Sequence, residues 1–468
     1  MSILPRTGWY FLSSFAVPLL GLVTLPIFTI RLGPDHYGAF ALGSALAGVI
    51  SAAAGSVSTV SLPAELGFRS ETERRPYLTA VMLLSLAVGL VTCGIVFGLY
   101  SAMIMIFSLD ILTPVATALT IAAAMLNSVW AICTEILTID GRARTYAIST
   151  VLQAAASALA VAVALFVFDE SDVALFWGFL SAALVASIGA IQALRHSLEF
   201  CGLSAWIPIA ARGGVAALSA SLSETGKVAI ERAYLGSMLG VGQLGMFAHA
   251  QFYKNASMVA LNALSRGVWP SALQEAREPD PEFLVTLRVW TIVQMFVVMV
   301  VLVFALIGRE IISLLTHGKF VEAAPYALAL LFALLIQTAA KPHSSILMAR
   351  GQGHLHAHIN TFSTVVALAW LLVTVPFLGV WGAVSSVIVQ AVIHRVAVFT
   401  FARRLYGMPF TDGWVVAGIC GAAVYSLLAA QTDLNLLGRS GLLVLLLAII
   451  LWKTGPVSSL IWLSRRNH

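Results

Sequence analysis

Six charged residues sit in a stretch of chain where lipid would penalise every one of them. Residues 213–270 are long enough to cross a bilayer twice and are largely apolar, yet they hold Glu224, Lys227, Glu231, Arg232, Lys254 and Arg266. A lone Asp, Lys or Arg at mid-membrane costs roughly 2.5–3.5 kcal/mol on insertion scales, so charges kept there must face protein or water. Glu224, Lys227 and Glu231 stand at i, i+3 and i+7, which places them on one helix face within pairing reach, with Arg232 on its flank. On the next helix Gln251, Lys254, Asn255, Asn262, Ser265 and Arg266 fall within an arc of about 120°, and His249 lies opposite it. This chemistry suits one wall of a polar transport pathway. Ionisable groups kept inside a membrane mark a substrate or ion pathway by default. The alternative is a static network in which Glu224, Lys227 and Glu231 neutralise one another.

The elements that must position these residues follow from composition. The chain has 468 residues, is 60% hydrophobic and only 10% charged, and shows apolar run after apolar run of helix-spanning length. That pattern predicts an all-α polytopic membrane protein and leaves no room for a sizeable extramembrane domain. Spans are expected near 8–31, 37–64, 77–106, 115–139, 146–168, 173–194, 213–239, 242–268, 284–307, 326–348, 358–377, 380–402, 412–430 and 436–452, about fourteen in all. The first is read as an uncleaved helix. Loops on the amino-terminal side hold fifteen arginines, from Arg6, Arg69 and Arg74 through Arg465 and Arg466, against Arg31, Arg309, Lys319 and Arg439 on the other. By the positive-inside rule both termini are cytoplasmic. The formal charge of +5 is that arginine bias and no sign of nucleic-acid binding.

An internal repeat organises the spans. Leu32, Gly33, Gly38, Phe40, Ala41 and Pro63 recur as Leu239, Gly240, Gly245, Phe247, Ala248 and Pro270 at an offset of 207. Ile136, Leu137, Gly141 and Ala147 recur as Ile346, Leu347, Gly351 and Ala357 at an offset of 210. A duplicated six-helix unit divides the chain into lobes 1–205 and 206–408, with two additional helices and a tail in 409–468. An even number of spans makes the lobes parallel, with the cavity expected between them.

The remaining chemistry-bearing residues read as structural. Cys93, Cys133, Cys201 and Cys420 have no metal-ligand spacing, and no metal or other cofactor is expected. Asp169, Glu170 and Asp172 read as a solvated helix terminus, His354, His356 and His358 as a solvated loop, and Arg31 as a snorkelling anchor. Glu65, Glu135 and Asp140 read as interface carboxylates.

Leu25-Pro26 to Arg31-Leu32-Gly33 with Tyr37-Gly38 resembles the first hairpin of polysaccharide flippases of the multidrug/oligosaccharidyl-lipid/polysaccharide (MOP) exporter superfamily. Glu231-Arg232-Ala233-Tyr234-Leu235, Leu244-Gly245-Met246-Phe247-Ala248 and Trp269-Pro270 are similar to the same family. So is the run from Glu310-Ile311-Ile312-Ser313-Leu314-Leu315 through Gly318-Lys319-Phe320 to Ala323-Ala324-Pro325. The family commonly has Asp where this chain has Glu231. The resemblance implies two six-helix lobes that carry an undecaprenyl-diphosphate-linked oligosaccharide across the bacterial inner membrane by alternating access. It supplies glycan for surface polysaccharide, exopolysaccharide or O-antigen. Membrane lipids and a polysaccharide polymerase or export machinery are the partners it implies. Lys227, Arg232, Lys254, Arg266 and Lys341 would then hold the diphosphate, and Gln251, Asn255 and Asn262 the sugars. A multidrug or cation antiporter of the superfamily is the first rival, disfavoured because residues 8–31 lack a carboxylate. A membrane glycosyltransferase or polymerase is the second, disfavoured by the short outer loops, so no enzyme activity is expected.

Overall fold

A computed structural model describes residues 19–65, 71–107, 111–139, 142–195, 198–200, 202–277 and 283–408, with Trp9 and Ala16. The two additional helices expected in 409–468 lie outside the described residues, as do Asp140, Cys201 and Cys420. The described chain is helical, in the order α1 (Leu19–Thr29), α2 (Pro34–Glu65), α3 (Glu71–Phe107), α4 (Pro114–Ile139), α5 (Ala143–Phe166) and α6 (Ala174–Leu194). It continues as α7 (Leu203–Leu239), α8 (Val241–Arg277), α9 (Leu284–Thr316), α10 (Ala324–Ala349), α11 (Gly353–Leu378) and α12 (Val380–Tyr406). Among the described residues nine helices are long and apolar enough to cross a membrane, namely α2–α6 and α9–α12. The chain is thus an all-α polytopic membrane protein. Helices α7 and α8, at 37 residues each, have the length but carry the charges that lower their hydropathy.

Several helices overrun the expected boundaries, α7, α8 and α9 the furthest. Helix α7 begins at Leu203 rather than 213 and runs through Pro208, which lies inside it. Helix α9 continues to Thr316, so the loop that follows shrinks to residues 317–323, which end in a short 3-10 turn, Val321–Ala323. At its other end, the Glu275 carboxylate accepts the Thr286 N–H at 2.7 Å and the Thr286 hydroxyl at 2.6 Å. These bonds satisfy an orphan donor in the first turn of α9.

The contacts form two compact units. The first comprises residues 1–248 with 371–380, the second residues 249–370 with 381–468. In the first unit α2 packs against α3, α4 and α7, and α6 packs against α4 and α5. Helix α2 is the centre of this unit: its span is 72% buried, against 22% for α3 and α5. Packing therefore joins α7 to α1–α6, whereas the repeat assigns it by sequence to the second lobe. In the second unit Trp290, Val293 and Val297 of α9 pack on Leu331, Leu334 and Leu335 of α10. Ala340, Leu347, Ile359 and Val398 close α10, α11 and α12 into one group.

The repeat has a direct structural counterpart inside the first unit. A Cβ at Gly38 would overlap the carbonyl of Val241, and a Cβ at Gly245 would overlap the carbonyl of Pro34. Residues 34 and 38 correspond to 241 and 245 at the 207 offset, so the two copies of the motif meet each other reciprocally, as a local two-fold relation requires. Backbone approach this close needs glycine on both sides.

An ion pair and a histidine–carboxylate contact tie two loops of the same unit. Arg31 donates to the Asp169 carboxylate and lies over the Phe166 ring, and His36 Nε2 is 3.2 Å from Asp172. Arg31 is thus paired, and the acidic loop that supplies its partner stays solvated, as the sequence reading has it. Both carboxylates are largely exposed, which holds each pair to about 0–1 kcal/mol.

Candidate functional site

Helix α7 sets out its charges as its period requires. Glu224 is exposed, while Lys227 (5% exposed) and Glu231 (1% exposed) are buried. Glu231 and Glu224 both act electrostatically on Lys227, and Glu231 also acts on Arg232. The Arg232 guanidinium leaves this face for α2, donating to the Ala41 carbonyl at 2.6 Å and to the Ser44 hydroxyl at 3.1 Å. Sequence spacing places Arg232 on a flank but cannot reveal its target, because Ala41 lies 191 residues away. The arginine is thereby a strut between α7 and α2 as well as a fixed cation.

Helix α8 separates its polar and aromatic faces as expected. Gln251 is buried, Lys254 half-buried and Asn255 exposed. His249 lies on the other side, fully buried, stacked on Phe320 with centroids 4.2 Å apart and hydrogen-bonded to the Tyr253 hydroxyl at 3.0 Å. Asn262 and Arg266 fall on α8, but their side chains lie outside the described residues, as does that of Glu65. Lys341 is half-buried on α10.

Four residues of the second unit were not singled out in the sequence as site residues. His356 belongs to α11, not to a loop, and stands edge-on to His394 of α12 with ring centroids 5.5 Å apart. His354 and His358 are exposed on the same helix. Arg395 is buried and donates to His343 Nδ1 at 2.9 Å, while its guanidinium lies 5.5 Å from the Phe399 ring centre. The available signal was negative: residues 323–411 contain five Lys or Arg and no Asp or Glu. Among the described residues no group of His, Cys, Asp or Glu is arranged to hold a metal ion.

These helices and their charged faces define a polytopic membrane fold with ionisable groups held inside it. No protein-family model matches the chain, and no curated protein matches it by sequence. Solved structures do. The lipid II flippase MurJ, in an inward closed conformation, matches with a TM-score of 0.69 and 11% identity over 97% of this chain and 99% of that one. A multidrug resistance MATE family transporter of the MOP superfamily, facing inward, matches with a TM-score of 0.63 and 16% identity over 87% and 95%. The eukaryotic MATE transporter AtDTX14 matches with a TM-score of 0.62 and 11% identity over 89% and 97%. The chain has the fold these MOP-superfamily proteins share, over nearly its full length.

Proposed function

We propose that this protein is a flippase that moves an undecaprenyl-diphosphate-linked oligosaccharide from the cytoplasmic to the periplasmic leaflet of the bacterial inner membrane by alternating access. The observation that carries the reading is the buried charge on α7. Lys227 and Glu231 sit together inside the first unit at a cost that packing alone does not require. A diphosphate cargo brings its own negative charge into a low-dielectric setting, and Lys227, Arg232, Lys254, Arg266 and Lys341 are the fixed cations offered to it. Gln251, Asn255 and Asn262 serve the sugar hydroxyls. The likeness to MurJ, a lipid II flippase, supports a lipid-linked cargo. The MATE neighbours support a second reading, a multidrug antiporter, although residues 8–31 offer no carboxylate to bind a cation. No chemical step is assigned to any residue, and the chain acts as a transporter rather than an enzyme.

Glu224 and Glu231 share Lys227 when no anion is present. An arriving diphosphate competes for the lysine and releases a carboxylate to take up a proton or sodium ion, which is a coupling free energy between two ligands. Because Glu224 is exposed, Glu224→Gln should leave the fold intact and glycan binding measurable. It should remove the dependence of export on the ion gradient, read as surface glycan in cells treated with an ionophore. Unchanged gradient dependence with export intact would place the coupling elsewhere.

A further inference from the structure

Helix α11 carries Pro376 in its last turn. Proline has no N–H to offer, so the carbonyl four residues earlier, that of Leu372, loses its partner within the helix, and the ring crowds that carbonyl and favours a bend. Inside a membrane a freed carbonyl must find a donor on a neighbouring helix or in water. Here the donor is the Tyr234 hydroxyl of α7, 3.1 Å from the Leu372 oxygen. A phenylalanine would fill the same space and leave the carbonyl bare, so the hydroxyl is what this position requires.

The repeat supplies an internal control for this pair. At the offset of 207 the place of Tyr234 is taken by Ile27, and at the offset of 210 the place of Pro376 is taken by Phe166, the last residue of α5. The first copy thus has neither the hydroxyl nor the proline, and the second has both. Building a bundle of this kind requires neither residue. Two further observations bear on what the pair does. Contacts assign residues 371–380 to the first unit and residues 353–370 of the same helix to the second, so α11 passes from one unit to the other just before Leu372. The place where the helix bends most easily is therefore the place where it changes unit. The bond also opens at little cost: it lies on the exposed side of the helix, where Leu372, Val373 and Phe377 are exposed, whereas a buried bond would leave its carbonyl desolvated when broken. On α7, Tyr234 stands three residues beyond Glu231, on the face that also carries Glu224 and Lys227. Arg232 holds that helix to α2, so the tyrosine joins the end of α11 to a helix that is itself anchored.

We propose that residues 371–376 of α11 form a hinge and that the Tyr234 hydroxyl is its clasp, closed in this structure and released when the helix bends during transport. The proline lowers the cost of the bend, and the hydroxyl sets which of the two states is favoured. In the released state water takes the place of the tyrosine on the Leu372 carbonyl. The hinge rests on transport by alternating access and not on the nature of the cargo.

Hydrogen exchange read by mass spectrometry tests it on the full-length protein in phosphatidylcholine nanodiscs. Tyr234→Phe should speed exchange over residues 371–380 by about two- to tenfold, the effect of one hydrogen bond, and leave residues 353–365 at the other end of α11 unchanged. Pro376→Ala returns an N–H to the helix and should slow exchange over 371–380 by a similar factor. In the Pro376→Ala background Tyr234→Phe should then have no effect, because the Leu372 carbonyl has its helical partner again. Surface glycan in cells is the second readout. Pro376→Ala should cut export several-fold at unchanged protein abundance, a loss that a merely structural bond would not produce, since the variant has the firmer helix. Exchange over 371–380 that is the same in wild type and Pro376→Ala, or export that Pro376→Ala leaves intact, would overturn the hinge. These two proteins decide the matter even if Tyr234→Phe fails to fold. No export by the wild type, with the exchange differences present, would count against the flippase and leave the hinge standing.

Discussion

Glu231→Ala should lower the stability of the purified protein by about 3–5 kcal/mol and sharply reduce the folded fraction recovered from membranes. The carboxylate is 1% exposed and acts on both Lys227 and Arg232, so its loss removes from the buried face of α7 an acid that both cations feel. Glu224 acts on the same lysine from an exposed position and cannot substitute inside the helix packing. Removing the lysine together with the acid should restore part of the loss. The Lys227→Met, Glu231→Ala double variant should be more stable than the sum of its singles predicts, by an interaction energy of about 0.5–3 kcal/mol. Thermal unfolding in detergent, followed by size-exclusion fluorescence, reads both effects. Additive singles would mean that the two groups do not interact and that the buried charges are held by other partners.

Gly245→Val and Gly38→Val should each be as damaging, for a steric reason. Ordinary overpacking costs about 1–3 kcal/mol because a neighbouring side chain can rotate away. Here the obstacle is backbone, the Pro34 carbonyl for Gly245 and the Val241 carbonyl for Gly38, and a helix must move to make room. The reciprocal geometry predicts matched effects of the two substitutions, each at the upper end of that range or beyond. Gly98→Ala is the control. Nothing lies within 4 Å of a Cβ at that position on α3, so alanine should gain the roughly 0.8–1 kcal/mol of helix propensity that glycine forgoes. A Gly245→Val protein with the unfolding midpoint of the parent would refute the close contact between the two copies of the motif.

Hydropathy and loop arginines were enough to read the helices, because lipid forces a long apolar run at each crossing. Even α7 and α8, whose charges lower their hydropathy, were legible as a largely apolar stretch long enough to cross a bilayer twice. Local periodicity put Glu224, Lys227 and Glu231 on one helix face, and of these Lys227 and Glu231 are buried while Glu224 is exposed. What spacing could not supply was the partner. The hold of Arg232 on Ala41, of Arg31 on Asp169 and of Arg395 on His343 each spans 52 to 191 residues, and helical period carries no information across such distances. His356 was misread for a different reason: alternating histidines suit an extended loop. The structure instead begins α11 at Gly353, which turns the middle histidine inward and its two neighbours outward.

The central claim is that the chain carries an anionic lipid-linked glycan, and reconstitution tests it most directly. Proteoliposomes holding the purified chain and an undecaprenyl-diphosphate-linked oligosaccharide are loaded with a glycosidase on one side only, and cleavage of the glycan from the far leaflet is followed over time. The expected result is protein-dependent, saturable cleavage that Lys227→Gln abolishes while Lys319→Gln, an exposed loop lysine, leaves it unchanged. No protein-dependent cleavage, together with uptake of a small organic cation by the same vesicles, would contradict the flippase and establish the antiporter in its place.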